Sequence, residues 1–363
     1  MIISLGNVQD LLATIPYQIG FHPDDSVVVL VTSGRRIAFC ARFDVPHEPG
    51  TAAVAVAGQC ARLRWQIDQI AADGAILVLY DESALGWQAF HGVHQHLRQW
   101  GLEVALSVVV AGGLWREVDG RDPRRWGAWQ PLPDPASSPG VAEFVGMGRV
   151  AAADRESAVA ILRPQEGALR APAHLSAREC AVPVRAVNQW RDFFRLGPPD
   201  EANGWLPDPV GAIRLARSLL DRDFRDALIA VLVPGTIDPA DLDRVAWSRA
   251  SSLAGHVLEA PAYVRDEPTW DPQAWNAGRL AAVRDRFVRL ARVCPAPISA
   301  GPYVVTALLA GRQGAGHIAS AAIEQALIAD PDHVLAQILS DLLDRGLLPG
   351  HQIGGGQRQS GAA

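Results

Sequence analysis

Lysine is absent from this chain of 363 residues, and all 33 of its basic side chains are arginine. Without a lysine ε-amine there is no pyridoxal Schiff base, no P-loop lysine to reach a nucleotide phosphate and no kinase lysine to pair the α/β-phosphates. Three large enzyme classes are excluded. Arginine codons can be GC-rich and lysine codons cannot, so the bias is first a property of a GC-rich coding genome. Cysteine is scarce: Cys40, Cys60, Cys180 and Cys294 stand 20, 120 and 114 residues apart, without the paired short spacing of structural zinc. They read as reduced, mostly buried thiols. Long apolar runs are missing too. No stretch reaches the ~18 residues of a membrane span, and the first arginine is Arg35, so neither a span nor a secretory signal is expected. The expected compartment is the cytoplasm.

What is present suits a packed globular protein: 49% hydrophobic residues, 20% charged residues and a mean hydropathy of +0.07. At about 150 residues per domain the length implies two or three domains, each able to bury a core without staples. The net charge of −6 makes general binding to phosphodiester backbones unexpected.

The opening half reads as α/β. A helical stretch from Val8 is expected to end at Pro16. A Gly20-Phe21-His22-Pro23 loop then feeds the β-branched run Val27 to Thr32. Ser33-Gly34-Arg35 is a turn, and Ile37, Phe39 and Ala41 alternate with polar or small residues toward Asp44, which makes a β-hairpin. Helices over about Thr51 to Ala72 and Ala84 to Trp100 alternate with apolar runs Ala75 to Tyr80 and Val104 to Ala111, as in a layered domain. Residues 112–140 turn to Gly, Pro, Arg and Trp, and read as a long flap in which Trp115, Trp126 and Trp129 pack the loop down. The expected organisation is an α/β domain over 1–165 with a mixed sheet and flanking helices, a proline-rich linker with one helix over 166–207, an all-α domain over 208–349 and a disordered tail over 350–363.

In the second half, Asp208-Pro209, Asp238-Pro239, Asp271-Pro272 and Asp330-Pro331 each precede a helical pattern. Asp at the N-cap and Pro at the first helical position suit the orphan N–H groups of a helix start. Spacings of 30, 33 and 59 allow helix pairs in an array. Ala319, Ile323, Ala326, Leu327 and Pro331 resemble the second helix of a tetratricopeptide repeat, with an ordinary bundle as the alternative. The helix Ala277 to Arg292 carries Leu280, Val283, Phe287 and Leu290 on one stripe. Arg279, Arg286 and Arg289 fall off it, on what reads as a solvated face.

Ligands of open α/β sheets gather outside the carboxyl ends of parallel strands. Taking the strands as parallel, that upper rim is Thr32-Ser33, Asp81-Glu82-Ser83 and Gly112-Gly113. The hairpin's return strand ends at a lower rim with Tyr17, Gly20, Phe21, His22, Asp24, Asp25, Arg42 and Asp44. There His22 with Asp24 or Asp25 makes a candidate general base, and Tyr17, His22, Arg42 and Asp44 are candidate ligand-binding residues. The competing reading is that Asp24, Asp25 and Ser26 cap the turn while Arg42 pairs with a carboxylate to close it. His91 and His94 share a helix face but His96 does not join them, so no metal site is expected. Gly311-Arg312-Gln313-Gly314-Ala315-Gly316-His317 lacks the strand and lysine of a phosphate loop and reads as a helix connection.

Leu11-Leu12-Ala13-Thr14-Ile15-Pro16-Tyr17-Gln18-Ile19-Gly20-Phe21-His22-Pro23, then Ser26-Val27-Val28-Val29-Leu30 and Ala41-Arg42-Phe43-Asp44-Val45-Pro46, resemble the opening of a bacterial family known only as domain of unknown function 4192. Gly314-Ala315-Gly316, Ala326-Leu327, Asp330-Pro331 and Leu335-Ala336 resemble its closing helices, so the resemblance runs from about Leu11 to Pro349. Members often carry a cysteine-rich stretch after an aromatic pair, whereas Leu114 to Pro139 here contain no cysteine. The resemblance brings no activity, cofactor or catalytic residue. The expectation is therefore a non-catalytic binding or regulatory protein without a cofactor that docks a protein partner through its C-terminal helices. The alternative is a small-molecule enzyme or sensor beside the first hairpin.

Overall fold

The computed structural model describes residues 7–34, 36–48, 50, 52–68, 70–119, 125–146, 149–165, 186–195, 208–259 and 272–344. Cys180, Asp271, the tail over 350–363 and the proposed linker apart from 186–195 lie outside them. The chain divides into two compact units, Met1–Ala158 and Val159–Leu343 apart from its last residues.

The first unit is a six-stranded mixed sheet. Its strands are β1 (Ser26–Ser33), β2 (Arg36–Asp44), β3 (Gly74–Tyr80), β4 (Glu103–Ala111), β5 (Leu114–Glu117) and β6 (Gln130–Pro131), in the order β2-β1-β3-β4-β5-β6. Among these strands, only the β3–β4 pair is parallel. Helices α2 (Ala52–Asp68) and α3 (Ala84–Gln99) cover one face, where Val56, Leu63, Phe90 and Val93 meet Val27, Val29, Leu77 and Val109. Helix α1 (Val8–Ile19) covers the other, setting Leu11, Leu12 and Ile15 on Val28, Leu30, Val78 and Val108. Burial on both faces explains why β1 reads as an unbroken apolar run.

Three expectations are corrected here. Pro16 does not end α1, which continues to Ile19 and stops at Gly20 with φ 91°. The Gly20 N–H donates to the Pro16 carbonyl at 2.8 Å, and burial of Pro16 with its neighbours offsets the single backbone bond a helical proline forgoes. In the hairpin, Val31 pairs with Phe39 and Thr32 with Ile37, skipping Ala38. This bulge sends Ile37 to the α1 face and Phe39 and Ala41 to the other, so the expected single apolar face is split. The flap over 112–140 is partly sheet: β5 and β6 extend it beyond β4, and α4 (Pro139–Gly146) closes the segment. Asp154 accepts from Ser157 N at 2.6 Å to start α5 (Arg155–Val159).

The second unit is mostly helical: α6 (Val187–Phe194), α7 (Pro209–Ser218), α8 (Arg222–Leu232), α9 (Arg244–Ala254), α10 (Pro272–Val293), α11 (Ala300–Arg312), α12 (Gly316–Ala329) and α13 (Val334–Asp344). Helix α11 is buried from Ala300 through Gly311, a stretch without a charged side chain and apolar on all sides. Trp190, Phe193, Phe194, Phe224 and Phe287 form one aromatic cluster, and the Trp190 indole N–H donates to Ser218 Oγ at 2.9 Å.

Arg286 departs from the solvated face expected of it. It is 4% exposed, and its Nη1 donates to the carbonyls of Asp192, Phe193 (2.5 Å) and Arg195 (3.0 Å) at the C-terminal end of α6. A guanidinium there satisfies orphan carbonyls and opposes the negative end of the helix dipole.

The Asp-Pro pairs behave unequally. Asp208 caps α7 through Val210 N and Gly211 N. Asp238 starts only one 3₁₀ turn, and Asp243 caps α9 instead. Asp330 closes α12, and the α13 cap is His333, whose Nδ1 accepts from Ala336 N at 3.2 Å. The 311–317 stretch joins α11 to α12 through Gly314 at φ 74°.

Candidate functional site

The two rims read from the sequence merge into one. Because β1 is antiparallel to β3, Ser26 stands opposite both Tyr80 and Asp44, whereas Thr32 lies at the far end beside Gly74. Asp24, Asp25, Asp44, Asp81 and Gly112 therefore share the carboxyl edge of β3 and β4, and Thr32-Ser33 does not. An uninterrupted valine run carries no mark of direction, so parallel pairing was the wrong assumption for β1.

Along this edge most polar groups are engaged locally. Arg42 donates from Nη1 to Asp44 Oδ1 at 2.5 Å and from Nη2 to the Asp24 carbonyl at 3.2 Å, with its guanidinium carbon 5.3 Å from the Phe21 ring centroid. Asp44 Oδ2 also meets Arg155 Nη1 at 3.7 Å. Val45 N donates to the Asp25 carbonyl at 2.8 Å, and Asp25 takes the left-handed φ of 41° that closes the turn. His22 is exposed, held by its backbone N–H to the Ala152 carbonyl at 2.9 Å, and its ring makes no hydrogen bond to Asp24 or Asp25. The Asp24 carboxylate accepts from Asp25 N at 3.1 Å. Tyr17 stacks on Phe144 with ring centroids 6.5 Å apart. The structure thus joins Arg42, Asp44 and Asp24 and leaves His22 without an orienting carboxylate.

Asp81 belongs to the start of α3: its carboxylate accepts from Ser83 N and Ser83 Oγ, and Ser83 Oγ accepts from Gly86 N at 3.0 Å. Two buried atoms at the edge have no partner among the described residues, Ser26 Oγ and Arg42 Nε. Tyr80, opposite Ser26, has its phenol pushed above the usual range by burial, with the nearby Cys40 adding to the shift. Burial likewise raises the Cys40 thiol to about 12, which favours the protonated thiol at neutral pH.

The sequence reading missed Phe21 as the surface under Arg42 and Arg155 as the second cation on Asp44. Neither has a local signal, since both contacts are made by the fold. It also missed Arg116, whose guanidinium carbon lies 4.4 Å from the Trp126 centroid and 4.2 Å from that of Trp129. Trp126 stacks in turn on Trp87 at 4.9 Å and 8°. This four-layer stack fastens the loop over the α2/α3 face, the packing role expected of those tryptophans.

An open groove of about 770 Å³ lies at the opposite end of the sheet, lined by His94, Arg98, residues 101–107, Glu117 to Asp119 and Arg125. Arg125 pairs with Asp119 at 3.8 Å. His94 is drawn below the usual imidazole range, by burial first and then by Arg98 and His91. Among the described residues no group of three or more His, Cys, Asp or Glu is placed to hold a metal ion, and no helix is long and apolar enough to cross a membrane.

The family model described as domain of unknown function (DUF4192) matches residues 9–350. The chain belongs to this family. The DUF4192 match begins within α1 and runs past α13, so it takes in the helices and strands of both units. No curated protein and no solved structure matches the chain.

Proposed function

We propose that this DUF4192 protein is a non-catalytic binding or regulatory module of the cytoplasm whose helical unit docks a protein partner. The observation that carries the reading is the closed state of the hairpin network: Arg42, the best candidate for anchoring a ligand, is committed to Asp44, the Asp24 carbonyl and the Phe21 ring. The net charge of −6 speaks against a nucleic-acid partner. On α13, Val334 and Ile338 stand one turn apart at 66% and 49% exposure, an apolar pair a partner would cover. Deleting Ala300 onward would remove the buried α11, so surface chemistry makes the better test. A photo-crosslinking residue at 334 or 338 should capture one discrete protein in cells, with none captured from position 222 on α8. Equal capture from all three positions contradicts the reading.

A second reading, a small-molecule enzyme or sensor beside the hairpin, is favoured by the unpartnered Ser26 Oγ and Arg42 Nε. It requires a metabolite whose stabilisation of the protein against heat disappears in His22→Ala and Arg42→Ala.

A further inference from the structure

Helix α13 keeps an apolar pair in solvent. Its Ala336 and Leu339 are buried, which turns the opposite stripe of Val334, Gln337, Ile338 and Asp341 outward, and within that stripe Val334 and Ile338 are 66% and 49% exposed. The chain around the pair is acidic. From Gly316 to Leu343 the sequence has four carboxylates, Glu324, Asp330, Asp332 and Asp341, and no arginine. Adding Asp344 and Arg345, one charge of each sign, leaves the balance at −4 with histidine neutral. Helix α8 brings Arg225 toward His333, but Arg225 is bound to Asp226 at 2.8 Å and Arg222 shares that carboxylate at 3.5 Å. Glu324, Asp332 and Asp341 are exposed.

Carboxylates repel the phosphates of nucleic acids and of anionic lipid headgroups, so this face disfavours both. Apolar side chains one turn apart on a helix form a ridge, and the ridge that packs beside it is that of a second helix with apolar residues at i and i+4. From the acidic surround of this apolar pair we infer that α13 docks a basic amphipathic helix, with apolar residues one turn apart over Val334 and Ile338 and arginine or lysine on the flanks facing Asp332 and Asp341. Opposite charges at the rim guide the approach and set the orientation, while the apolar contact holds the complex. The inference rests on the docking role proposed above and adds the chemistry of the partner. The chain's own arginine-rich helix, α10, buries Leu280, Val283, Phe287 and Leu290 in the core of its unit, so a second copy does not offer that helix.

The test uses the full chain and three fluorescein-labelled, alanine-based pentadecapeptides, read by anisotropy. The first has two leucines one turn apart with arginines on both flanks, the second has glutamates for the arginines, and the third has alanines for the leucines. The first should bind saturably and at least tenfold more tightly than either of the others. Val334→Ser with Ile338→Ser, both at exposed positions, should weaken it at least tenfold. Asp332→Arg with Asp341→Arg should also weaken it at least tenfold and make the glutamate peptide the tighter ligand, an exchange of preference that a misfolded variant would not show. The inference is overturned if the arginine peptide does not bind at millimolar concentration, if the glutamate or leucine-free peptide binds equally well, or if the double serine variant binds unchanged. It is also overturned if the parent self-associates in sedimentation and the double serine variant does not. If a crosslinker at 334 or 338 captures a protein in cells while the arginine peptide stays unbound, the docking role stands without this partner chemistry; equal capture from 334, 338 and 222 removes both.

Discussion

Arg286 brings a full charge into the aromatic core of the helical unit, and what makes it tolerable is the row of carbonyls at the end of α6. Removing the guanidinium leaves the buried Phe193 carbonyl without its donor. Arg286→Met should therefore lower the unfolding free energy by about 3 kcal/mol, checked by urea titration at pH 7, although the methionine fits the apolar surroundings. A solvated arginine would shift stability by a few tenths only. The helical period could not reveal this role: a 22-residue helix with neighbours on more than one side buries more than one stripe. His333 makes a second prediction. Its ring must be neutral for Nδ1 to accept the Ala336 N–H, and burial followed by Arg225 lowers its affinity for a proton. The unfolded chain, with an ordinary imidazole near 6.5, then binds the proton first as pH falls. The stability tied to this cap is complete above about pH 6.5 and is lost as the solution is acidified toward the lowered folded value. His333→Asn keeps a capping oxygen and has no proton to gain. Urea midpoints at pH 7.5 and 5 should converge in the variant relative to the parent.

Two glycines separate what an element needs from what it merely contains. A Cβ on Gly86 would lie 2.3 Å from Asp81 Oδ2, inside the cap of α3, so Gly86→Ala should cost about 1–2 kcal/mol. A Cβ on Gly58, midway along α2, meets nothing within 4 Å, so Gly58→Ala should stabilise by about 0.5–1 kcal/mol. Thermal unfolding of both variants reads the opposite signs. At this scale the hairpin, the α2-β3-α3-β4 alternation and the Asp208 cap were legible, because each rests on local periodicity or local hydrogen bonding. The antiparallel β1–β3 pairing, the Ala38 bulge and the split role of the Asp-Pro pairs were not. Each depends on which element arrives alongside, and a run such as Val27 to Val31 is equally apolar in either direction.

Over the whole molecule the family tie and the mixed-sheet-plus-helices architecture agree with the sequence reading, while the candidate site changed shape. Its two rims became one edge, His22 lost its expected orienter, and Arg42 became the hub. The central claim is that this hub fastens the turn between Phe21 and β1 instead of holding a ligand. Thermal unfolding of Arg42→Gln beside the parent, each alone and with a metabolite panel, tests it most directly. The account predicts a midpoint lowered by about 2–6 °C, matching loss of about 1–2 kcal/mol of ion pairing and hydrogen bonding, and a parent midpoint that no metabolite raises. An unchanged midpoint in Arg42→Gln, together with a metabolite that stabilises only the parent, would contradict it.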